Sequence, residues 1–156
     1  MIARAGGFGA RLHGVARSRR ADTARFLVPA LLTAITVEIG VRFARLPVFA
    51  RVLGIGISTG PHAVEAVHGS APLHRSDVAR YRAARHVLRI WPDSGETSCL
   101  RLALTAGFLL RHRRPLLRIG VARTDGSVVA HAWLIVDGVP LDPAARNYCP
   151  LTRVGS

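Results

Sequence analysis

Three side chains, Cys99, His131 and Asp142, are of the types that thiol-based nucleophilic catalysis requires. Cys99 follows Thr97 and Ser98, either of which can cap a helix. At a helix N-terminus the thiolate is favoured by the dipole and by backbone N–H groups, and the N–H of Cys99 is a natural oxyanion donor. His131 would hold the thiolate as an ion pair and protonate a leaving amine, while Asp142 would orient the imidazole. The sequence therefore predicts an acyl-transfer triad.

The elements that must position these residues can be predicted from periodicity. Apolar residues after Cys99 recur at helical spacing and widen into a stripe that covers most of the helix, so we expect a central, buried helix ending before Pro115. The segments LLRIGVA, VVAHAWLIV and VPLD follow, joined by the turns Asp125-Gly126 and Asp137-Gly138. Asp-Gly between apolar alternating segments is the strongest short hairpin pattern. The C-terminal part is predicted to be a buried helix followed by an antiparallel meander.

Hairpin register predicts which side chains share a face. With a two-residue turn at Asp137, Trp133 lies opposite Asp142, and His131 projects from the same face within reach of the carboxylate. Asp137 is then left in the turn, pointing to solvent. Gly120 is placed opposite His131, where its missing side chain would leave room for a substrate backbone. We therefore name Gly120 and Trp133 as candidate substrate-binding residues, with Trp133 in the core or the pocket wall.

The N-terminal part is predicted to be mostly helical. Residues 1–25 are rich in Arg, Gly and Ala and are interpreted as an arm, and the segment Phe26–Leu53 as helix broken near Pro47. Its apolar start is too short, and too interrupted by Pro29 and Glu38, for a spanning helix, so no stable membrane insertion is expected.

Two further N-terminal segments have clear patterns. The segment Gly54–Pro61 is interpreted as a turn-rich connection without a nucleotide-binding pattern. The segment Ser76–Trp91 is predicted to be a helix that Ser76 caps.

The composition of the chain limits the classes of partner and of bound group that can be expected. The formal net charge of +13 comes from Arg alone and predicts attraction to acidic partners. Aromatic residues make up 6% of the chain and no basic stripe interleaves with them, which argues against nucleic acid. Two cysteines, Cys99 and Cys149, are too few for a disulfide framework, and no C-x-x-C pair indicates a structural zinc site. We expect no metal, no cofactor and a cytoplasmic location. A zinc site from Cys99, His131 and Cys149 has no supporting ligand spacing, and the other histidines are interpreted as surface or helix-end residues.

The order SCLRLAL, LLRIGV, AHAWLIVDGVPLDP resembles the lasso peptide leader peptidases, over roughly residues 92 to 145. The resemblance implies a transglutaminase-like, papain-type fold in which Cys99 is the nucleophile, His131 the base and Asp142 the orienting acid. It also implies removal of the leader from a ribosomally made precursor peptide, coupled to a lasso cyclase. The chain has no room for a RiPP recognition element, so the split form with a separate recognition protein is expected. The loop RHRRPLLRIG departs from the family by lacking a Gly before Pro115.

The sequence as a whole predicts an α+β fold in one compact domain. Residues 1–91 would form a mainly helical region with a possible partner-binding surface, and residues 92–156 the papain-like, transglutaminase-like core of a Cys-bearing helix packed on an antiparallel sheet. Two alternatives stay open at this point. One is a transglutaminase-like acyltransferase or amidase with the same triad, and the other is a non-catalytic basic scaffold that binds a leader or a partner.

Overall fold

The structure, a computed structural model, describes residues 22–58, 73–91, 98–124 and 126–151. The predicted arm therefore lies almost wholly outside the described residues, as do the capping residue Thr97 and the turn residue Asp125. The described elements make an α+β fold, as predicted. In chain order they are α1 Leu27–Phe43, α2 Leu46–Val52, β1 Gly56–Ile57, α3 Arg75–Arg89, α4 Ser98–Leu109, β2 Leu116–Thr124, β3 Ser127–Val136, β4 Val139–Pro140 and β5 Cys149–Pro150, with 3₁₀ turns at Arg111–Arg113 and Pro143–Asn147.

The five described strands form one sheet around β2. The order is β1-β2-β3-β4, and β5 also pairs with β2. β1 runs parallel to β2, with Gly56 opposite Leu116, and β5 runs antiparallel to it, with Cys149 opposite Val121. The predicted three-stranded meander is present, but the sheet is mixed and larger. The segment Gly54–Pro61, interpreted as turn alone, contains β1, because a two-residue strand has no periodicity of its own and depends on a partner far along the chain.

Both Asp-Gly turns connect the strands in the predicted register. Thr124 pairs with Ser127 across the first turn, and Val136 pairs with Val139 across the second. Asp137 has φ 50° and Gly138 has φ 80°, the left-handed geometry that a two-residue turn of this kind needs.

β4 is shorter than the predicted strand VPLD. It ends at Pro140, although Leu141 still donates its N–H to the carbonyl of Leu134 at 2.9 Å. Asp142 then leaves the sheet and caps the 3₁₀ turn that Pro143 begins, so the predicted strand pairing of Asp142 with Trp133 is not formed.

The helix α4 is the centre of the core, as its wide apolar stripe predicted. Leu104, Thr105 and Ala106 are completely buried in it. Gly107 lies against Ile55 so closely that an added Cβ would be 2.6 Å from the Ile55 Cδ1, which explains a glycine inside a helix. α4 packs on α1 and α3 on one side and on the sheet on the other. The helices and the sheet therefore share one core.

α3 begins one residue earlier than predicted and has a different cap. The helix starts at Arg75, and its capping residue is His74 instead of Ser76. The side chain of His74 accepts a hydrogen bond from the backbone N–H of Ser76 at 3.3 Å. Asp77 in its first turn is buried and bound by His112 at 3.1 Å, by Arg80 at 2.8 Å and by Arg113 at 3.8 Å. These pairs attach α3 to the turn that follows α4.

α1 buries its small residues and exposes its large ones. Ala30, Ala34 and Val37 are buried, and Pro29 lies in the first turn, where its missing N–H costs no helical hydrogen bond. Glu38 forms an ion pair with Arg101 of α4 at 2.8 Å, and both side chains are largely buried. The opposite side of α1, which we call the outer apolar face, exposes Val28, Leu31, Leu32, Ile35, Ile39 and Phe43.

The helical stretch Asp22–Phe43 is 22 residues long and contains an 18-residue window with a mean hydropathy of 1.7. By length and composition alone it could cross a membrane, contrary to the expectation that the stretch is too short. A mostly buried core helix of a soluble protein and a signal sequence near the N-terminus pass the same test, and 22% of this window is buried here.

Candidate active site

His131 and Asp142 form the central hydrogen bond of the site. The Nε2 atom of His131 lies 2.8 Å from Oδ2 of Asp142. The other carboxylate oxygen, Oδ1, accepts the backbone N–H of Ala144 at 2.9 Å and so caps the 3₁₀ turn that follows. Because both oxygens are engaged, the carboxylate is held in one orientation. The bond to Asp142 uses Nε2, which leaves Nδ1 as the imidazole nitrogen for a reacting group.

Cys99 faces the same cavity as this pair. It is the second residue of α4 and is partly buried, in the first helical turn where backbone N–H groups have no partner within the helix. Cys99, His131 and Asp142 all line a cavity of about 440 Å³. The packing of α4 on β3 brings the nucleophile candidate to the face of the hairpin that carries the imidazole. The structure thus brings together the three side chains that were predicted to act together.

Two aromatic rings hold the imidazole of His131. The Tyr148 ring stacks on it with centroids 4.7 Å apart and an interplanar angle of 27°. The Trp133 ring lies 5.9 Å away at 22°, is nearly buried and also lines the cavity, consistent with a place in the pocket wall. Tyr148 was missed by sequence reasoning. Its position depends on β5, whose pairing with β2 has no local pattern that would have revealed it.

Gly120 lies opposite His131, as the register predicted, but the expected open space is filled. A Cβ added at Gly120 would be 2.7 Å from the carbonyl oxygen of Cys149 and 2.7 Å from the Trp133 ring. Gly120 also does not border the cavity. The room that we expected for a substrate backbone is therefore taken by Trp133 and β5. Close packing against these two neighbours explains why this position has no side chain.

Helix α3 supplies a wall of the cavity that the sequence did not indicate. Tyr81, Arg85, Leu88 and Arg89 line it, facing Cys99 and Leu102 of α4. The pKa of Tyr81 is raised above its ordinary value of 10.0 by burial first and by the charge of Asp142 second, while Arg85 opposes the shift. The phenol therefore stays protonated beside the triad. The helical face could be seen in the sequence, but the surface on which it packs could not.

A family model described as the transglutaminase-like superfamily matches residues 35–154. The chain belongs to the transglutaminase-like superfamily. The match begins inside α1, so it includes most of the N-terminal helices as well as the segment that resembled the leader peptidases. No curated protein and no solved structure was found to match the chain. Membership of the transglutaminase-like superfamily indicates cysteine-based catalysis, and Cys99 is the cysteine that the fold places beside a His–Asp pair.

Within the described residues the transglutaminase-like domain contains no group of three side chains suited to a metal ion. Cys149, the other cysteine, is an exposed free thiol on β5. His112 binds Asp77 and His74 caps α3, which agrees with a surface or helix-end role for both. Two of the other histidines, at positions 62 and 68, lie outside the described residues.

Proposed function

We propose that this chain is a cysteine peptidase that removes the leader from a ribosomally made lasso peptide precursor. The observation that carries the proposal is the 2.8 Å bond between His131 and Asp142 at a cavity that Cys99 also lines. The resemblance of the Cys99 helix and the His131 hairpin to the leader peptidases supplies the substrate class. The precursor is made in the cytoplasm, where thiols stay reduced, so we propose that the chain acts there.

In the proposed reaction the Cys99 thiolate attacks the carbonyl carbon of the scissile peptide bond. His131 carries the thiol proton and gives it to the leaving amine as the C–N bond breaks, and an acyl-enzyme thioester remains. Water, deprotonated by the same imidazole, then attacks the thioester and releases the new carboxylate and the thiol. Asp142 stabilises the imidazolium and keeps Nδ1 directed at the sulfur through its bond to Nε2. The N–H of Cys99 is the natural donor to the oxyanion.

The direct test is mass spectrometry of a candidate precursor incubated with the chain and its recognition protein. Cys99→Ala and His131→Ala should each abolish cleavage, because each removes a member of a unit that acts together. Cys149→Ala is the matched control, since it removes an exposed thiol from the sheet edge and should leave the rate unchanged. Cleavage by purified Cys99→Ala at the wild-type rate would exclude the proposed mechanism.

We propose that a separate RiPP recognition element docks on the outer apolar face of α1. This face exposes large apolar side chains, with Leu32 60% and Ile39 55% exposed, and a group of exposed apolar side chains on one helix face is typical of an interaction site. Leu32→Ser and Ile39→Ser should reduce the stimulation of cleavage by the recognition protein. Alkylation of Cys99 by iodoacetamide should not change in these variants. Equal cleavage rates with and without the recognition protein would contradict this docking. The cyclase that closes the lasso ring would take the released core peptide.

A second candidate function is acyl transfer to an amine, since the same triad and superfamily permit it. The two reactions share the acyl-enzyme and differ only in the acceptor. Incubation with the precursor in the presence and absence of added primary amines, followed by mass measurement, separates the products. A product mass increased by the amine would favour the acyltransferase, and a free carboxylate would favour the peptidase. A chain whose Cys99 reacts with thiol reagents only after denaturation would instead be a non-catalytic scaffold.

A further inference from the structure

Helix α3 places two guanidinium groups at the cavity that contains the triad. Tyr81, Arg85, Leu88 and Arg89 are spaced so that they share one side of the helix, and all four line the cavity. Leu88 contributes an apolar wall, together with Leu102 of α4. The two arginines are exposed, so their charged ends lie at the solvent side of that wall.

These two charges have no counterpart in the described part of the chain. Arg85 and Arg89 form no ion pair there, whereas Arg80 on the same helix binds Asp77. Asp142 is the single acidic side chain among the described residues that line the cavity. Both of its oxygens are already engaged, by His131 and by Ala144. Among the described residues, the cavity therefore carries two positive charges that the carboxylate of Asp142 does not neutralise.

The helix dipole does not account for both arginines. Arg89 lies in the last turn of α3, where a cation is favoured by the carbonyl ends of the helix. Arg85 lies a full turn earlier, and its charge acts on the Tyr81 hydroxyl inside the cavity. Arg82, three residues before Arg85, lies on the other side of the helix with Val78 and Ala79. The helix thus directs Arg85 and Arg89, but not Arg82, toward the site.

We propose that Arg85 and Arg89 form a subsite that binds an acidic side chain of the substrate peptide near the scissile bond. The inference rests on the proposed function, because it concerns a peptide held at Cys99. A guanidinium group binds a carboxylate through two parallel hydrogen bonds, and a partly enclosed apolar wall strengthens that contact. A cavity of about 440 Å³ accepts a few side chains of an extended peptide, so the bound acid must be close to the reacting carbonyl.

The test uses short peptidyl acyloxymethyl ketones, which alkylate an active-site thiol without requiring the natural precursor. Matched peptides carry Glu, Gln or Lys at each position next to the ketone in turn. The second-order rate of Cys99 alkylation is followed by intact mass on the full chain. The variants are Arg85→Gln, Arg89→Gln, the double variant and Arg82→Gln. The Arg82 variant is the matched control, because it removes the same charge from the same helix outside the cavity. Iodoacetamide reports the reactivity of Cys99 without any peptide.

We expect wild type to react with the best Glu peptide about five- to tenfold faster than with its Gln counterpart, and more slowly again with Lys. This preference should disappear in the double variant, persist in Arg82→Gln and weaken with salt. Equal rates for Glu and Gln peptides, or a preference that survives in the double variant, would overturn the subsite while leaving the proposed nucleophile intact. Failure of Cys99 to react with iodoacetamide and with every peptide would overturn the proposed function, and the subsite with it.

Discussion

Replacement of Asp142 by Asn tests the site most directly, because the change removes one charge and keeps the shape. The carboxylate of Asp142 accepts two hydrogen bonds, from Nε2 of His131 at 2.8 Å and from the N–H of Ala144 at 2.9 Å. A carboxamide has a single acceptor oxygen, so it cannot satisfy both donors. Either the imidazole takes the other tautomer, with Nδ1 protonated, or the 3₁₀ turn Pro143–Asn147 loses the hydrogen bond from the N–H of Ala144 that caps it. In both cases the imidazole is less well oriented toward the thiol.

The size of the effect follows from the lost bond. A hydrogen bond to a charged group contributes about 1.5–3 kcal/mol. Since each 1.4 kcal/mol is about tenfold in rate, Asp142→Asn should slow precursor cleavage about 10- to 100-fold. The lower half of this range is favoured because the Asp142 side chain is 30% exposed. Asp142→Ala removes both bonds and should cost about 100-fold or more.

Asp137→Asn is the matched control for this change. Asp137 lies nearer to His131 in sequence, but it occupies the turn with φ 50°, a geometry that Asn also tolerates. Its carboxylate binds Arg113 at 2.5 Å, and Asp137 does not line the cavity that contains the imidazole. An exposed ion pair contributes little, so the cleavage rate should stay within about twofold of wild type.

The assay is the rate of precursor cleavage by mass spectrometry, beside the rate of Cys99 alkylation as a function of pH. Thermal unfolding of each variant shows whether a slower rate reflects loss of structure. A larger loss for Asp137→Asn than for Asp142→Asn would refute the reasoning, because it would mean that the acid which orients His131 is in the turn and that the face assigned to the triad is wrong.

Three further predictions follow from contacts around the site and in the core. Tyr148→Ala should slow Cys99 alkylation about three- to tenfold by freeing His131, whereas Tyr148→Phe, which keeps the stacked ring, should not; equal effects of both would contradict the stacking role. Because the folded state raises the pKa of Tyr81, the unfolded chain loses that proton first, so stability should fall from about pH 10 upward, and Tyr81→Phe should remove this fall in denaturant unfolding at several pH values. Glu38→Gln breaks the buried ion pair of α1 with α4 and should lower the free energy of unfolding by about 2–3 kcal/mol, while Arg42→Gln, which removes an exposed partner of Glu38, should change it by less than about 0.5 kcal/mol.

Local chemistry was enough to predict the hairpin and most of its site. Asp-Gly turns have few alternatives, because only residues that accept a positive φ can occupy them. Once the turn residues are known, the two-residue period of a strand decides which side chains share a face. The proximity of His131 and Asp142 could therefore be predicted, and the register across both turns is confirmed. The place of Cys99 at the start of a buried helix followed in the same way from capping residues and apolar periodicity.

Features that depend on distant partners could not be predicted. β1 and β5 are two residues long and form only because they pair with β2. Segments this short have no apolar–polar alternation that would predict a strand. The sequence therefore predicted an open space beside Gly120, but the Trp133 ring and the β5 backbone fill this space. It also left Tyr148 out of the site, although this ring stacks on the imidazole.

The amino-acid sequence by itself predicted Cys99 as the nucleophile, His131 as the base and Asp142 as the orienting acid. It also determined the hairpin that joins the last two, because a hairpin depends on interactions between residues close in the chain. Tertiary packing alone decided how α3 and α4 meet the sheet, and hence which side chains enclose the thiol. Tyr81, Arg85 and Arg89 reach the cavity because contacts such as that of His112 with the buried Asp77 fix α3 against the end of α4. Such contacts join segments dozens of residues apart, and no local periodicity specifies them.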